Sequence, residues 1–188
     1  MPVRKIPKNY LVVTGSFAGR KTNESNAFES LLEKDYMLLL DFDEGVLHYE
    51  VQPVKIPVPG KSRGYTPDIL IHFKPDPVTK ISRRPQLAEV KTSAHLIRYE
   101  DDYRDKFSAA KDFALERGWE FTTVTESEIR TPRLANIKFL REYRSIDPSM
   151  EERSLLREAI NSVGGEVSVE DLLNRMSRSL DERLRWLS

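Results

Sequence analysis

Apolar residues near the start of the chain recur first at helical spacing and then at strand spacing. Asn26-x-x-Glu29 is predicted to open an amphipathic helix, whose apolar stripe comprises Phe28, Leu31, Leu32, Tyr36 and Leu39. After Gly45 the period becomes two, which predicts two strands, or one strand bent at Pro53. The predicted inward positions are Leu47, Tyr49 and Val51, alternating with His48, Glu50 and Gln52, and then Val54, Ile56 and Val58.

The rest of the first 146 residues alternates between strand and helix patterns. One strand is predicted to begin at Asp68 and the next to end at Lys91, with a proline-containing loop between them. The elements predicted after them are a helix over residues 102–117 that stops at Gly118, a strand over 119–124, a short helix capped by Thr125-x-x-Glu128, and a helix over 134–143 with Leu134, Ile137 and Leu140 inward. This order predicts an α/β fold with a mixed sheet flanked by helices.

Three regions are predicted from changes in pattern. Residues 1–22 are basic and irregular around the short apolar piece Tyr10-Leu11-Val12-Val13, and are interpreted as an arm. Residues 23–146 form the main domain, and Asp147-Pro148-Ser149 marks a break. Residues 149–188 are predicted to form a small helical appendage, too short to be very stable alone.

Composition narrows the function only slightly. The 188 residues carry 30 basic and 30 acidic side chains, so any contact with nucleic acid must rest on local patches of charge. Cysteine is absent from the sequence, which excludes disulfides, cysteine-ligated zinc and thiol catalysis. The sequence shows no apolar run of membrane-spanning length and no apolar signal region after its first residues, so we expect a cytoplasmic protein.

The candidate chemistry lies where the two predicted strands meet. Glu89 and Lys91 are two residues apart and project from one face of their strand. If the strands pair as a hairpin, Asp68 reaches Glu89, and two carboxylates lie beside an ammonium group. Mg²⁺ binds through one or two carboxylates together with water and phosphate oxygens, so this arrangement predicts phosphodiester hydrolysis.

These residues resemble the PD-(D/E)xK nuclease superfamily and, within it, TnsA, the endonuclease subunit of heteromeric transposons. The resemblance covers about residues 23–143. It is carried by blocks in the expected order: Phe28-Glu29-Ser30-Leu31-Leu32-Glu33-Lys34-Asp35-Tyr36, Leu40-Asp41-Phe42-Asp43, Tyr49-Glu50-Val51-Gln52-Pro53, Phe121-Thr122-Thr123-Val124-Thr125-Glu126-Ser127-Glu128-Ile129-Arg130 and Asn136-Ile137-Lys138-Phe139-Leu140.

The resemblance implies a site and a set of partners. Its implied catalytic residues are Glu29, Asp68, Glu89 and Lys91, and its implied metal-binding set is Asp68, Glu89, Val90 and Glu29, with Mg²⁺ as the cofactor and Mn²⁺ as a substitute. Position 89 holds Glu where the family also tolerates Gln. TnsA-like proteins cut the 5′ ends of a transposon beside a TnsB-like transposase and a TnsC-like ATPase regulator. TnsA-like proteins also carry a C-terminal winged-helix-like domain, so the appendage is interpreted either as a shortened form of that domain or as an ordinary pair of packed helices.

Alternatives remain open for individual residues and for the function. Glu29 is either a site acid or a helix cap, and Gln52 is either a neighbour of the site or an ordinary polar residue. Arg63, Tyr65 and His95 either contact DNA or belong to a solvated surface. The alternative functions are a non-catalytic assembly module, or a related nuclease of phage head completion, restriction or repair.

Overall fold

The computed structural model describes residues 15–22 and 26–176. The chain divides between Arg141 and Glu142 into two compact units. The predicted three-part division of the chain stays a prediction, and its apolar piece at residues 10–13 lies outside the described residues. Among the described residues, no helix is long and apolar enough to cross a membrane.

The first unit contains two sheets. Strands β1 (Gly15–Phe17) and β2 (Asn26–Phe28) form an antiparallel pair. The main sheet has the order β3-β4-β5-β6, and its strands are β3 (Val46–Val51), β4 (Ile69–Phe73), β5 (Gln86–Val90) and β6 (Glu120–Val124). The first two pairings are antiparallel and the third is parallel, so the sheet is mixed, as predicted.

Helices flank the main sheet. They are α1 (Leu31–Phe42), α2 (Ser93–Arg98), α3 (Glu100–Glu116), α4 (Glu126–Ile129) and α5 (Pro132–Tyr143). Successive side chains of a strand face opposite sides of a sheet. Ile69 and Ile71 accordingly pack in the same apolar cluster as residues of α1, while Leu70 packs with Ala110 of α3. The α/β class with a mixed sheet between helices is therefore confirmed.

The start of the chain differs from the prediction in two places. Residues 15–17 form β1, and Phe17 is buried in the core, so this part of residues 1–22 is not an irregular arm. Residues 26–28 form β2, and α1 begins only at Leu31. Ser30 is the N-cap of α1: its hydroxyl oxygen accepts the backbone N–H of Glu33 at 3.1 Å. The predicted cap at Asn26-x-x-Glu29 is wrong, because Ser30-x-x-Glu33 forms the cap one turn later.

A β-bulge changes the register of β3. Val46 pairs with Phe73 and His48 pairs with His72, so two residues advance on β3 against one on β4. Leu47 is the extra residue and is half exposed, whereas Val46 is buried. Leu47 was expected inside because simple alternation from Tyr49 puts it there, and the bulge resets that alternation.

Among the described residues, two further predictions are wrong: a strand at residues 54–58 and an inward position for Leu140. No strand forms at residues 54–58, where Ile56 makes only an isolated bridge with Tyr65, although Ile56 and Val58 are buried. In α5, Leu134 and Ile137 are buried but Leu140 is half exposed, so its predicted inward position is wrong.

The ends of several elements follow the sequence signals. Gly118 has φ +69°, the left-handed conformation that ends α3. The backbone N–H of Thr125 donates to Glu128 Oε2 at 2.8 Å, as expected for the predicted cap of α4.

The second unit contains α6 (Met150–Val163) and α7 (Val169–Met176) in its described part. Ser149 and Glu152 form a capping box at the start of α6, and Gly164 ends that helix in the left-handed conformation. Within residues 142–176, Ala159 is the one buried residue.

Candidate active site

Asp68, Glu89 and Lys91 lie in direct contact, as predicted from the sequence. Lys91 Nζ is 2.9 Å from Asp68 Oδ2 and 3.0 Å from Glu89 Oε1. Glu89 is buried, while the side chains of Asp68 and Lys91 are 13% and 24% exposed. One ammonium group thus joins two carboxylates at the edge of the core.

The pairing of β4 with β5 creates this contact. Ile69 pairs with Ala88 in antiparallel register, and the backbone N–H of Asp68 donates to the Ala88 carbonyl at 3.1 Å. Asp68 Oδ2 also accepts the backbone N–H of Val90 at 2.8 Å. Because Ala88 and Val90 face the α1 side of the sheet, Glu89 and Lys91 face the other side.

Val90 belongs to the site through its backbone. Its side chain is buried in the core, and its carbonyl oxygen accepts the Lys91 ammonium at 3.1 Å. The carbonyl oxygen therefore faces the same small volume as the two carboxylates. This is the part of Val90 that could bind a metal ion.

Burial sets the ionisation of the site. Burial, and after it the charge of Asp68, raise the pKa of Glu89 to about 7, against the opposing effect of Lys91. Burial lowers the pKa of Lys91, but the carboxylates of Asp68 and Glu89 outweigh it, so the pKa ends above its ordinary value. Lys91 is therefore a permanent cation here, and Glu89 takes up a proton more readily than an exposed carboxylate.

Glu33 is a fourth charged residue of the site that the sequence analysis did not select. It is buried in the first turn of α1 and accepts the Ser30 hydroxyl at 3.0 Å and the backbone N–H of Glu29 at 2.9 Å. Burial, and after it the charge of Asp68, raise the pKa of Glu33 to about 7. Glu33 is thus the acid of α1 whose pKa is raised by the charge of Asp68.

Glu29, predicted as the helix-borne acid, lies outside α1, between β2 and the Ser30 cap. Its carboxylate accepts the side-chain amide of Gln52 at 3.1 Å. Gln52 is buried, has φ +48°, and donates its backbone N–H to the Asp68 carbonyl at 2.7 Å. Within the described part of the chain, the buried Gln52 Oε1 has no hydrogen-bond partner. These two predicted residues therefore meet each other beside Asp68.

Tyr65 also belongs to the site, but in a different role from the one predicted. It is 6% exposed, and its hydroxyl donates to Glu89 Oε2 at 2.7 Å. Burial, and after it the charge of Glu89, raise the pKa of Tyr65, so the phenol stays protonated. The ring cannot stack on a base or sugar from this position, and Tyr65 instead orients the Glu89 carboxylate.

These groups line a cavity of about 680 Å³. Glu29, Gln52, Tyr65, Asp68, Glu89 and Lys91 all contribute to its wall. Three basic residues, Lys55, Arg63 and Lys106, line it as well, and of these the sequence analysis selected only Arg63. His95 is not among the lining residues: it lies on α2, 4.6 Å from the Tyr99 ring and 5.8 Å from the Tyr103 ring.

The donor set suits a hard divalent cation. Two carboxylates and a backbone carbonyl converge here, and oxygen ligands of this kind are those that Mg²⁺ prefers. Lys91 is the cation that contacts Asp68 and Glu89, and the buried Glu33 carboxyl adds a third acid that interacts with Asp68. The partnerless Gln52 Oε1 adds an acceptor that needs a donor such as a bound water. Asp68, Glu89 and the Val90 carbonyl therefore fit Mg²⁺ or Mn²⁺.

Two conclusions about identity follow. A mixed four-stranded sheet between helices, with its acids and lysine at the ends of two central strands, defines the restriction-endonuclease-like fold. Residues 43–126 match the family described as TnsA-like endonuclease N terminal, so over this region the chain is similar to the TnsA-like endonucleases. The predicted resemblance is thus confirmed. No curated protein sequence is significantly similar to the chain.

Proposed function

We propose that the chain is the metal-dependent DNA endonuclease subunit of a heteromeric transposase, which hydrolyses a phosphodiester at the 5′ ends of a transposon. The contact of Asp68, Glu89 and Lys91 carries this proposal, since it unites two oxygen ligands and a fixed cation inside the TnsA-like region. Such a set suits an attack on phosphorus, where negative charge grows on the phosphate oxygens.

Each residue has a chemical role in this proposal. Asp68, Glu89 and the Val90 carbonyl would hold Mg²⁺, with Mn²⁺ as a substitute. When bound, the ion supplies Lewis-acid polarisation of the phosphate and a lowered pKa for bound water. Lys91 keeps its proton and donates hydrogen bonds to the attacking water or to a phosphate oxygen. Tyr65 fixes the Glu89 carboxylate through its hydroxyl, and Glu33 adds negative charge behind Asp68.

The cavity wall supports DNA as the substrate. Lys55, Arg63 and Lys106 line the cavity that contains the acids, and basic side chains around such a cleft position phosphates without reading sequence. With equal numbers of acidic and basic residues, the chain as a whole has no net attraction for DNA. Partners therefore deliver the nuclease to the transposon ends: a TnsB-like transposase, which cuts the other strand, and a TnsC-like ATPase regulator.

The first test is Mn²⁺ and Mg²⁺ binding by calorimetry, with and without a nicked DNA duplex. The wild type and Asp68→Asn are compared with Asp112→Asn, which removes an exposed carboxylate from α3. We expect binding in the wild type and in Asp112→Asn, and its loss in Asp68→Asn. Equal binding in all three proteins would contradict the catalytic role and favour the non-catalytic assembly module.

The second test is strand cleavage in the presence of the partner subunits. We expect nicks at the 5′ transposon ends, reduced at least about 100-fold in Asp68→Asn and unchanged in Asp112→Asn. Cleavage that survives Asp68→Asn would assign the 5′ cut to another subunit.

A further inference from the structure

A second cluster of ligand-type side chains lies away from the candidate active site. His48 and Glu50 project from β3, and His72 projects from the neighbouring strand β4, where it is the register partner of His48. His48 and Glu50 are two residues apart on β3 and therefore face the same side. One ligand atom from each residue lies within 4.8 Å of the other two.

The two histidines present the same nitrogen to the carboxylate. His72 Nε2 is 3.5 Å from Glu50 Oε1, and His48 Nε2 is 3.9 Å from it. Both distances are too long for good hydrogen bonds. His72 Nε2 is buried and has no hydrogen-bond partner in the described part of the chain. A buried imidazole nitrogen therefore faces a carboxylate oxygen at the distance of a long ion-pair contact.

We propose that His48, Glu50 and His72 form a binding site for a divalent transition-metal ion of the Zn²⁺ class. Imidazole nitrogens prefer such ions, whereas Mg²⁺ prefers oxygen ligands. Three protein ligands leave a fourth, tetrahedral position for water. The side chains of His48 and Glu50 are 41% and 52% exposed, so an ion reaches the site directly from solvent.

Binding requires only a small rearrangement. The imidazole rings are stacked, with centroids 4.3 Å apart and planes 10° from parallel. A metal ion must lie close to the plane of each ring, with ligand atoms about 3.3 Å apart at zinc–nitrogen bond lengths of about 2.0 Å. Because the His48 side chain is 41% exposed, its ring is free of the packing that would oppose a rotation toward the ion.

The site is separate from the proposed magnesium site. His72 and Asp68 are four residues apart on the same side of β4, or about 13 Å along a strand. A metal ion bound here would join the edge strand β3 to β4. Since β3 runs directly into Gln52, whose backbone N–H holds the Asp68 carbonyl, the ion would stabilise the frame of the active site.

The sequence offers a matched control, because His95 is the third of its three histidines and lies outside the cluster. Zn²⁺ binding is measured by calorimetry at pH 7.5 on the full chain carrying Asp68→Asn, which removes a ligand of the other site. In this background we compare His72→Gln and His48→Gln with His95→Gln. We expect affinity for Zn²⁺ to fall by roughly 100-fold in the first two, since even an outer-shell change costs about 10–100-fold, and to persist in His95→Gln.

A second measurement needs no substitution in the cluster. Imidazole NMR spectra of the Asp68→Asn protein are recorded during Zn²⁺ addition, and two of the three histidine spin systems should shift together. Equal Zn²⁺ affinity in His72→Gln and His95→Gln, absence of Zn²⁺ binding, or a shift confined to His95 would each overturn the proposal. The Asp68→Asn background makes this outcome independent of the proposed nuclease function.

Discussion

At the scale of single residues, Glu89 makes the site sensitive to pH. Burial and the charge of Asp68 raise its pKa from the ordinary 4.5 to about 7. The folded protein therefore binds more protons than the unfolded chain between these two values. The contribution of this carboxyl to stability is complete below about pH 4.5 and is lost as the pH rises through 7.

We predict that Glu89→Gln stabilises the metal-free protein at pH 8 more than at pH 5. Gln removes the buried charge, so the gain at pH 8 is at most about 3 kcal/mol in the free energy of unfolding. Urea unfolding in the presence of a chelator measures it. Glu120→Gln, at an exposed position on β6, is the control. A gain that is equal at both pH values would show that Glu89 carries no excess proton in the folded protein.

The two acids near the start of α1 make separable predictions. Gln is tolerated at the N3 position of a capping box, so Glu33→Gln keeps the cap of α1 while it removes the charge that interacts with Asp68. We expect Mn²⁺ affinity to fall on the order of tenfold in Glu33→Gln and by less in Glu29→Gln. Calorimetry on both variants checks this order. The reverse order would favour Glu29 over Glu33 as the acid that supports metal binding.

At the scale of elements, the C-terminal end of α3 contributes to the stability of the fold. Gly118 has φ +69°, its N–H donates to the Leu115 carbonyl at 3.0 Å, and the N–H of Trp119 donates to the Ala114 carbonyl at 2.8 Å. These bonds close the last turn and turn the chain into β6. A side chain with a Cβ atom is disfavoured in this conformation.

We predict that Gly118→Ala lowers the free energy of unfolding by about 1 kcal/mol. A Cβ atom at this position meets nothing within 4 Å, so the loss reflects backbone strain alone. Gly118→Asn is the matched variant, since Asn tolerates the left-handed conformation better, and its loss should be smaller. Chemical denaturation of the two variants makes the comparison, and an equal or larger loss for Asn would contradict the assignment to strain.

Signals local in sequence predicted most of the elements. Short apolar runs located β4 and β5, and the pairing of these strands brings Asp68 to Glu89 and Lys91 as expected. Gly118 correctly marked the end of α3 and Thr125 the start of α4. Both signals are local, because each residue acts on its immediate neighbours. The contact of the three charged residues was therefore predictable before the structure.

The errors arose where a distant part of the chain decides the outcome. Residues 26–28 pair with β1, and this removes the cap predicted at Asn26 and leaves Glu33, not Glu29, in the first turn of α1. The bulge at Leu47 depends on the partner strand, which no pattern within β3 shows. The sequence alone does not show that Tyr65 is buried, because its hydroxyl donates to Glu89, which is 24 residues away along the chain. The signal that could have found Glu33 was the second cap pattern, Ser30-x-x-Glu33.

At the scale of the whole molecule, the two compact units differ in how much they bury. The first contains both apolar clusters around the main sheet. In the described part of the second, residues 142–176, Ala159 alone is buried, although α6 is capped at both ends. Helices that bury little surface gain most of their stability from local bonds and open easily.

We predict that backbone amides of α6 and α7 exchange with solvent about 100-fold or more faster than those of β4 and β5. Hydrogen–deuterium exchange of the full chain, read by mass spectrometry, measures this directly. Exchange of α3 is the internal control, since α3 packs on the sheet and should be slow. Protection of α6 equal to that of β5 would show that the second unit is as stable as the first.

The position of Lys91 has a consequence for the metal-free protein. Its ammonium lies against both carboxylates, in the volume where a metal ion would bind. While no ion is present, the Lys91 ammonium thus takes the place of a metal cation and offsets the repulsion between Asp68 and Glu89. In the proposed nuclease the acids and the lysine are thus already assembled before a metal ion binds, with the lysine engaged by the acids.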